Sequence, residues 1–315
     1  MSIRIALPAA LAAATALALA GVAAGAEKPL KGTITADGSS TVGPYTAAAA
    51  EGFQQRHSGV RLTVGISGTG GGFERFCKDE TDLSDASRPM KSSEAIKCRD
   101  AGVRWVAFTV ANDGLSVVVN RSNTWASCLT TAELKKIWEP GSKVSNWKDV
   151  RAGFPDAPLK LFGPGTDSGT FDYFTEAIMG KARQSRPDYL ATEDDNIIVQ
   201  GVEGERGGLG YFGFSYYEEN AGKLNLVGVD DGKGRGCVKP SIESVQKNTY
   251  RPLSRPLFIY AKLASFKRPE VAAFIGYIFN NEQAIAKRAE FISLTDRQLK
   301  KARYQYAQAL KKAFG

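Results

Sequence analysis

Three short segments combine glycine with small hydroxyl side chains: Gly38-Ser39-Ser40-Thr41, Ser67-Gly68-Thr69-Gly70-Gly71-Gly72 and Thr166-Asp167-Ser168-Gly169-Thr170. Each follows an apolar run that reads as a strand and precedes a helical pattern, so the hydroxyls fall at helix N-termini. Free backbone N–H groups and the positive end of the helix dipole meet there, and together they favour an anion. Glycine lets the main chain approach a ligand closely. Serine and threonine hydroxyls donate to oxygen without adding charge. One such start is commonly no more than an N-cap; three in one chain point to capture of an oxyanion. Ser87-Arg88-Pro89 offers the cation, because a guanidinium fork matches a tetrahedral oxyanion. The rival reading of Arg88 is a surface residue paired with Asp85.

Other chemistries lack a residue they need. A P-loop requires Lys and then Ser or Thr after its glycines, and Gly72 is followed by Phe73-Glu74. A dinucleotide fingerprint counted from Gly68 meets Phe73 where it requires glycine. Ser168 or Ser40 could serve a hydrolase as nucleophile, but a serine nucleophile needs an activating base. The one histidine, His57, stands at the end of a predicted helix, before Ser58-Gly59. With one histidine and four cysteines that form no C-x-x-C pair, no metal site and no cofactor are expected.

The elements that would position the three loops alternate strand and helix, which predicts an α/β fold with a largely parallel sheet. Strands are read at Thr33–Ala36, Leu62–Ile66, Trp105–Val110, Leu115–Val119, Leu159–Phe162, Gly208–Gly213, Leu224–Val229 and Leu257–Tyr260. Helices are read from Pro44 to Arg56, through Phe73 and Phe76, from Phe171 through Phe174 and Ile178, and over Pro269–Asn280 and Asp296–Lys312. Residues 180–208 are charged and weakly periodic. A length of 315 residues suits about two domains. The net charge of +8 steers anions inward without naming one. Lys300, Lys301, Arg303, Lys311 and Lys312 make the last helix basic; a solvated face is the simpler reading, and no nucleic-acid partner is expected.

The first 26 residues read as a secretory signal peptide: a positive start, an uncharged Ala- and Leu-rich run, and Ala24-Gly25-Ala26 as a small-x-small cleavage pattern. Export implies paired cysteines, and Cys77, Cys98, Cys128 and Cys237 allow three connectivities.

Taken in order, Asp37-Gly38-Ser39-Ser40-Thr41-Val42, Ser67 to Phe73, Asp85-Ala86-Ser87-Arg88-Pro89, Asp113-Gly114-Leu115 through Asn120, Gly165 to Thr170 and Gly208 to Gly213 resemble the periplasmic phosphate-binding protein of bacterial phosphate ABC importers. The resemblance runs over essentially the whole chain after the signal. It implies a two-lobed binding protein with two hinge crossings, each lobe a mainly parallel sheet flanked by helices, the ligand lying between lobes that close on it. The lobes would be residues 27–110 plus 251–315, and residues 111–250. Keeping each disulfide within one lobe then favours Cys77–Cys98 and Cys128–Cys237. The resemblance also implies a periplasmic, catalytically inert monomer that delivers inorganic phosphate to inner-membrane ABC permease subunits. Its contacts carry over to Ser40 and Thr41, to Ser67, Gly68 and Thr69, and to Ser168, Gly169 and Thr170. Better-known members carry Asp where Ser87 stands, and an Arg where this chain has Pro164. Arg88 is read as the replacement for that Arg. The lost Asp would accept the proton of hydrogen phosphate, which sulfate lacks. Asp85, Asp113 and Asp167 are the candidate substitutes, and sulfate or molybdate is the alternative ligand.

Overall fold

The computed structural model describes residues 29–314, so the predicted signal peptide lies outside the described residues. The chain begins β1 (Gly32–Gly38), α1 (Gly43–Arg56), β2 (Val60–Ile66), α2 (Gly68–Cys77), β3 (Leu83–Ala86) and α3 (Ser92–Asp100), and then enters the long strand β4 (Trp105–Asn120). Next come β5 (Cys128–Thr130), α4 (Thr131–Trp138), α5 (Trp147–Val150), β6 (Lys160–Gly163), α6 (Gly169–Met179), β7 (Leu190–Ala191), α7 (Asp195–Gly204), β8 (Gly208–Gly213) and α8 (Phe214–Asn220). Then follow β9 (Leu224–Leu226), β10 (Gly228–Asp230), α9 (Ile242–Gln246), β11 (Ser254–Lys262), α10 (Pro269–Asn280), α11 (Glu282–Arg288) and α12 (Asp296–Phe314).

Among the described residues the main sheet runs β2-β1-β3-β11-β4-β8-β6-β7, with β9 also against β4, and β5 pairs with β10 separately. The outer strands are parallel, whereas β4 and β11 run antiparallel to each other and to their neighbours β3, β8 and β9. Two apolar cores lie on either side of this crossing. One gathers Ile34, Phe53, Phe108, Phe266 and Phe274; the other gathers Leu115, Val117, Trp138, Trp147, Phe174 and Tyr211. The architecture is the two-lobed α/β fold of periplasmic binding proteins.

β4 departs from the sequence reading. Asn112-Asp113-Gly114 suggests a break between two strands, yet one 16-residue strand runs through it. Its backbone is paired with β11 from Gly114 to Trp105, with one bulge at Val110. The Asn112 amide donates to the Ser293 carbonyl at 3.1 Å and to Gln298 Oε1 at 3.2 Å, so the polar side chain is satisfied within the strand. The weakly periodic stretch hides β7 and α7, and α7 buries Ile198, Val199 and Val202 against the sheet. Cys77 is bonded to Cys98 and Cys128 to Cys237.

Candidate functional site

Register brings the loops together. In the parallel pair β1/β2, Gly38 lies opposite Ile66, and in β1/β3 it lies opposite Asp85. Residues 39–41, 67–70 and 87–88 therefore leave the same edge of the sheet side by side. That edge, at the carboxyl ends of parallel strands, is where open α/β sheets bind ligands. From the second lobe the fourth loop leaves β6 and enters α6.

Packing fixes each helix start. α1 has Pro44 in its first turn and buries Tyr45, Ala49 and Phe53 on one face. α2 is pinned by Phe73, edge-on to Tyr260 at 4.8 Å, and by the disulfide from Cys77 to α3. It sits so close to β1 that a Cβ on Gly72 would stand 2.5 Å from the Gly38 Cα. α6 is anchored by Phe174, stacked on Tyr211 at 3.8 Å with Trp138 edge-on to both. Such aromatic pairs each add about 0.5–1.5 kcal/mol beyond area burial.

These starts enclose a cavity of about 210 Å³ between the lobes. Its walls are Ser39, Ser40 and Thr41, then Gly68, Thr69 and Gly70, then Ser87, Arg88 and Lys91, with Arg255 from the crossing strand. The far wall is α6 with Asp172, Tyr173 and Glu176, together with Ala182. The Thr69 and Ser87 hydroxyls stand 3.1 Å apart. Across the cleft the Thr41 hydroxyl donates to the Gly169 carbonyl at 3.2 Å, and the Ser40 hydroxyl donates to Asp172 Oδ2 at 3.3 Å. A Cβ on Gly169 would stand 2.8 Å from the Thr41 backbone, so glycine permits this approach of the lobes.

Arg255 is the residue that sequence reasoning missed. Its Nη2 donates to Thr41 Oγ1 at 2.9 Å, its Nε to Asp113 Oδ2 at 3.1 Å and its Nη1 to the Ser87 carbonyl at 3.4 Å. Its guanidinium carbon lies 3.4 Å from the centre of the Tyr173 ring, a close cation–π contact. The Arg255 and Asp113 side chains are only 11% and 7% exposed. Burial pushes the Asp113 carboxyl up, against the opposing pull of Arg255. In the β4/β11 ladder Arg255 stands directly opposite Asp113, a pairing that only the folded chain reveals.

Arg88 is not the partner of Asp85. It reaches the cavity wall, but its fork is held by Glu94 rather than Asp85, with Nη1 to Oε2 at 2.8 Å and Nη2 to Oε1 at 2.7 Å. Burial works to raise the Glu94 carboxyl, but hydrogen bonds from Arg88 and the Lys91 N–H outweigh it and bring it below its ordinary value. An Arg so engaged has little fork left for a ligand.

The other expected residues divide. Ser40, Thr41, Gly68, Thr69, Ser87 and Arg88 line the cavity. Ser67 does not: it is exposed, and its hydroxyl donates to Asp37 Oδ1 at 2.5 Å. Ser168, Gly169 and Thr170 stand beside the cavity at the start of α6, where the Ser168 hydroxyl accepts the Thr170 N–H at 3.1 Å as an N-cap. Of the three substitute carboxylates, Asp167 is exposed and Asp113 is engaged by Arg255. Asp85 is fully buried behind the loops, where Thr46 Oγ1 donates to it at 2.8 Å and burial pushes its carboxyl up to about 7. The acids on the wall are Asp172 and Glu176, neither singled out by sequence. Among the described residues no group of three His, Cys, Asp or Glu is placed to hold a metal ion.

The chain is similar to several known proteins. Protein SphX of Synechococcus elongatus is 49% identical over 263 residues, 83% of this chain and 77% of that protein. The phosphate-binding protein PstS of Staphylococcus epidermidis is 37% identical over 269 residues, 84% of this chain and 80% of that one. A crystal structure of a possible phosphate binding protein from Planctomyces limnophilus superposes with a TM-score of 0.87 at 49% identity, covering 89% of this chain and 99% of that one. The PBP superfamily domain is matched over residues 23–282, and with these relatives and this fold the chain belongs to the PBP superfamily, in the family of PstS and SphX.

Proposed function

We propose that the chain is a receptor for inorganic phosphate, which it holds between its two lobes and presents to the permease subunits of an inner-membrane ABC importer. The observation that carries this reading is the interlobe cavity: hydroxyl-bearing loops at two helix starts, the first turns of α6 opposite them, and Arg255, Arg88 and Lys91 on its walls. Such a site supplies N–H and O–H donors and positive charge to an oxyanion. The phosphate-binding relatives support the choice of ligand.

In this reading the first 26 residues direct export and are removed, and the mature chain works in the periplasm. Lobe one is residues 27–110 plus 251–315 and lobe two residues 111–250, and the division of the two cores across β4 supports that split. The chain binds rather than catalyses: the Ser168 hydroxyl caps α6, and His57 ends α1 and packs against Phe53 at 4.6 Å. The test is calorimetric titration of the mature, ligand-stripped chain with phosphate at neutral pH. Tight one-to-one binding is expected; absence of a heat signal, with the protein folded, would sink the reading.

A further inference from the structure

The basic last helix takes no part in the cleft, yet one of its lysines closes a second cavity. At the far pole of lobe one, Lys312 of α12, Arg104 just before β4, Lys262 at the end of β11 and Lys267 in the short turn Ala264–Lys267 line a hollow of about 410 Å³. The interlobe cavity has about 210 Å³. Four cations from separate elements meet one carboxylate there, Asp79. The fold holds this wall in place. The Cys77–Cys98 bond ties the ends of α2 and α3 together, which sets Asp79 beside residues 101–103, and the Leu263 N–H donates to the Arg104 carbonyl at 2.9 Å.

Lys262 is the informative residue. Its side chain is only 7% exposed, and burying an ammonium is costly unless it is compensated. Its nitrogen lies 5.6 Å from the centre of the Phe76 ring and donates to Asp79, whose own side chain is 79% exposed. A lysine has three protons to donate, and that acceptor takes one. Among the described residues no salt bridge holds Arg104, Lys267 or Lys312. Helix C-termini attract cations, which accounts for Lys312 in the last turn of α12. Lys262 ends a strand and serves no helix.

The walls narrow the choice of ligand. Apart from the five charged residues they are alanine, glycine, valine and leucine, with no ring on which a base could stack. Adjoining phosphate groups match both the excess of positive charge and a volume roughly twice that of the interlobe cavity. We propose that this pocket is a second anion site, which binds a group of two or more closely spaced phosphates. In the β4/β11 ladder Lys262 stands opposite Trp105 and Ser254 opposite Gly114, so the pocket and the crossing of the lobes lie at opposite ends of the ladder, roughly 25–30 Å apart. Both sites can therefore be filled at once. Such a group belongs to a soluble polyphosphate or to a lipid headgroup with two phosphates, as basic pockets take cardiolipin.

The experiment saturates the mature chain with orthophosphate, so that the cleft is filled, and titrates it calorimetrically with inorganic tripolyphosphate at constant ionic strength. One further equivalent should bind. Lys267→Gln with Lys312→Gln, both exposed positions, should weaken that binding at least roughly tenfold and leave orthophosphate affinity as it was. Lys300→Gln with Lys301→Gln removes the same charge from the same helix outside the pocket and should change it less than about twofold. Lys262→Met should abolish it. Sedimentation with cardiolipin-containing phosphatidylcholine vesicles tells the sources apart: retention that the Lys267/Lys312 variant loses assigns the site to the headgroup, and tripolyphosphate binding without retention assigns it to a soluble chain. Equal losses in the two double variants overturn the site, because they would report the charge of the helix and not the pocket. So does the absence of both vesicle retention and saturable tripolyphosphate binding up to about 1 mM.

Discussion

Arg255 touches Thr41 and Ser87 of one lobe, Tyr173 of the other and Asp113 of the crossing strand, so its charge is delivered to the cleft by both lobes at once. Arg255→Ala should weaken phosphate binding by about 2–5 kcal/mol, the cost of truncating one partner of a buried, hydrogen-bonded charge pair. Titration of that variant, with a thermal melt to confirm folding, measures it. Arg88 calls for a different test, since its loss would leave Glu94 bare. Removing both as a neutral unit, Arg88→Ala with Glu94→Ala, should change phosphate affinity by less than about 1 kcal/mol, as expected of a partly exposed pair. A loss as large as that of Arg255→Ala would instead make Arg88 a direct ligand contact. The hydroxyl residues were legible because three Gly-, Ser- and Thr-rich helix starts in one chain exceed what capping alone requires. Arg255 was hidden because Ser254-Arg255-Pro256 reads as a proline-rich connector, and its meaning lies in a cross-strand partner 142 residues away. Asp172 was hidden because an acid in the first turn of a helix ordinarily serves only the dipole.

The helix starts act as units, and Thr41 against Gly169 is where two of them meet. Gly169→Ala would set a methyl group into the Thr41 backbone, holding the lobes apart without touching either core. Affinity for phosphate should fall by about 1–3 kcal/mol, the usual cost of overpacking, while the melting temperature of the free chain changes little. Small-angle scattering should show less compaction on adding phosphate than in the native chain; full compaction with native affinity would mean that the contact plays no part in closure. Most elements were legible from period and length: the strand at Gly208–Gly213 and the helix at Pro269–Asn280 stand where the pattern put them. α7 was not, because Asp194, Asp195 and Asn196 at its start and Gly201 within it dilute a short apolar face. The break expected at Asn112–Gly114 is absent because tertiary partners satisfy a sequence that alone would favour a turn.

Across the whole molecule, burial pushes the carboxyls of Asp85, Asp195 and Glu282 up to about 7, with Glu290, Asp194 and Glu193 adding to the effect at Asp195 and Asp37 at Asp85. Each keeps a proton in the folded chain where the unfolded chain has lost it. The resulting stability is complete below the ordinary carboxylate range and is lost as pH rises through about 7. Glu94 and Glu133 lie below their ordinary value, and their contribution is lost in the opposite direction, as pH falls into acid. The melting temperature should therefore peak in mild acid and decline toward pH 8, roughly one unit above the raised carboxyls. A profile flat from pH 5 to pH 8 at constant ionic strength would refute this. The paired crossing of β4 and β11 has a consequence of another kind. Because β4 runs unbroken from one lobe into the other, paired with β11 as far as Gly114 and with β8 beyond it, the path between the lobes is short and held on both sides. A residue inserted or deleted in β4 would turn the side chains that follow it in the strand to the opposite face, and because Val110 to Asn120 are all buried, each would need new packing partners. Surface loops can lengthen and shorten over evolutionary time, whereas this passage can change only in composition. The two halves are thus inherited together, as a single counted length of chain.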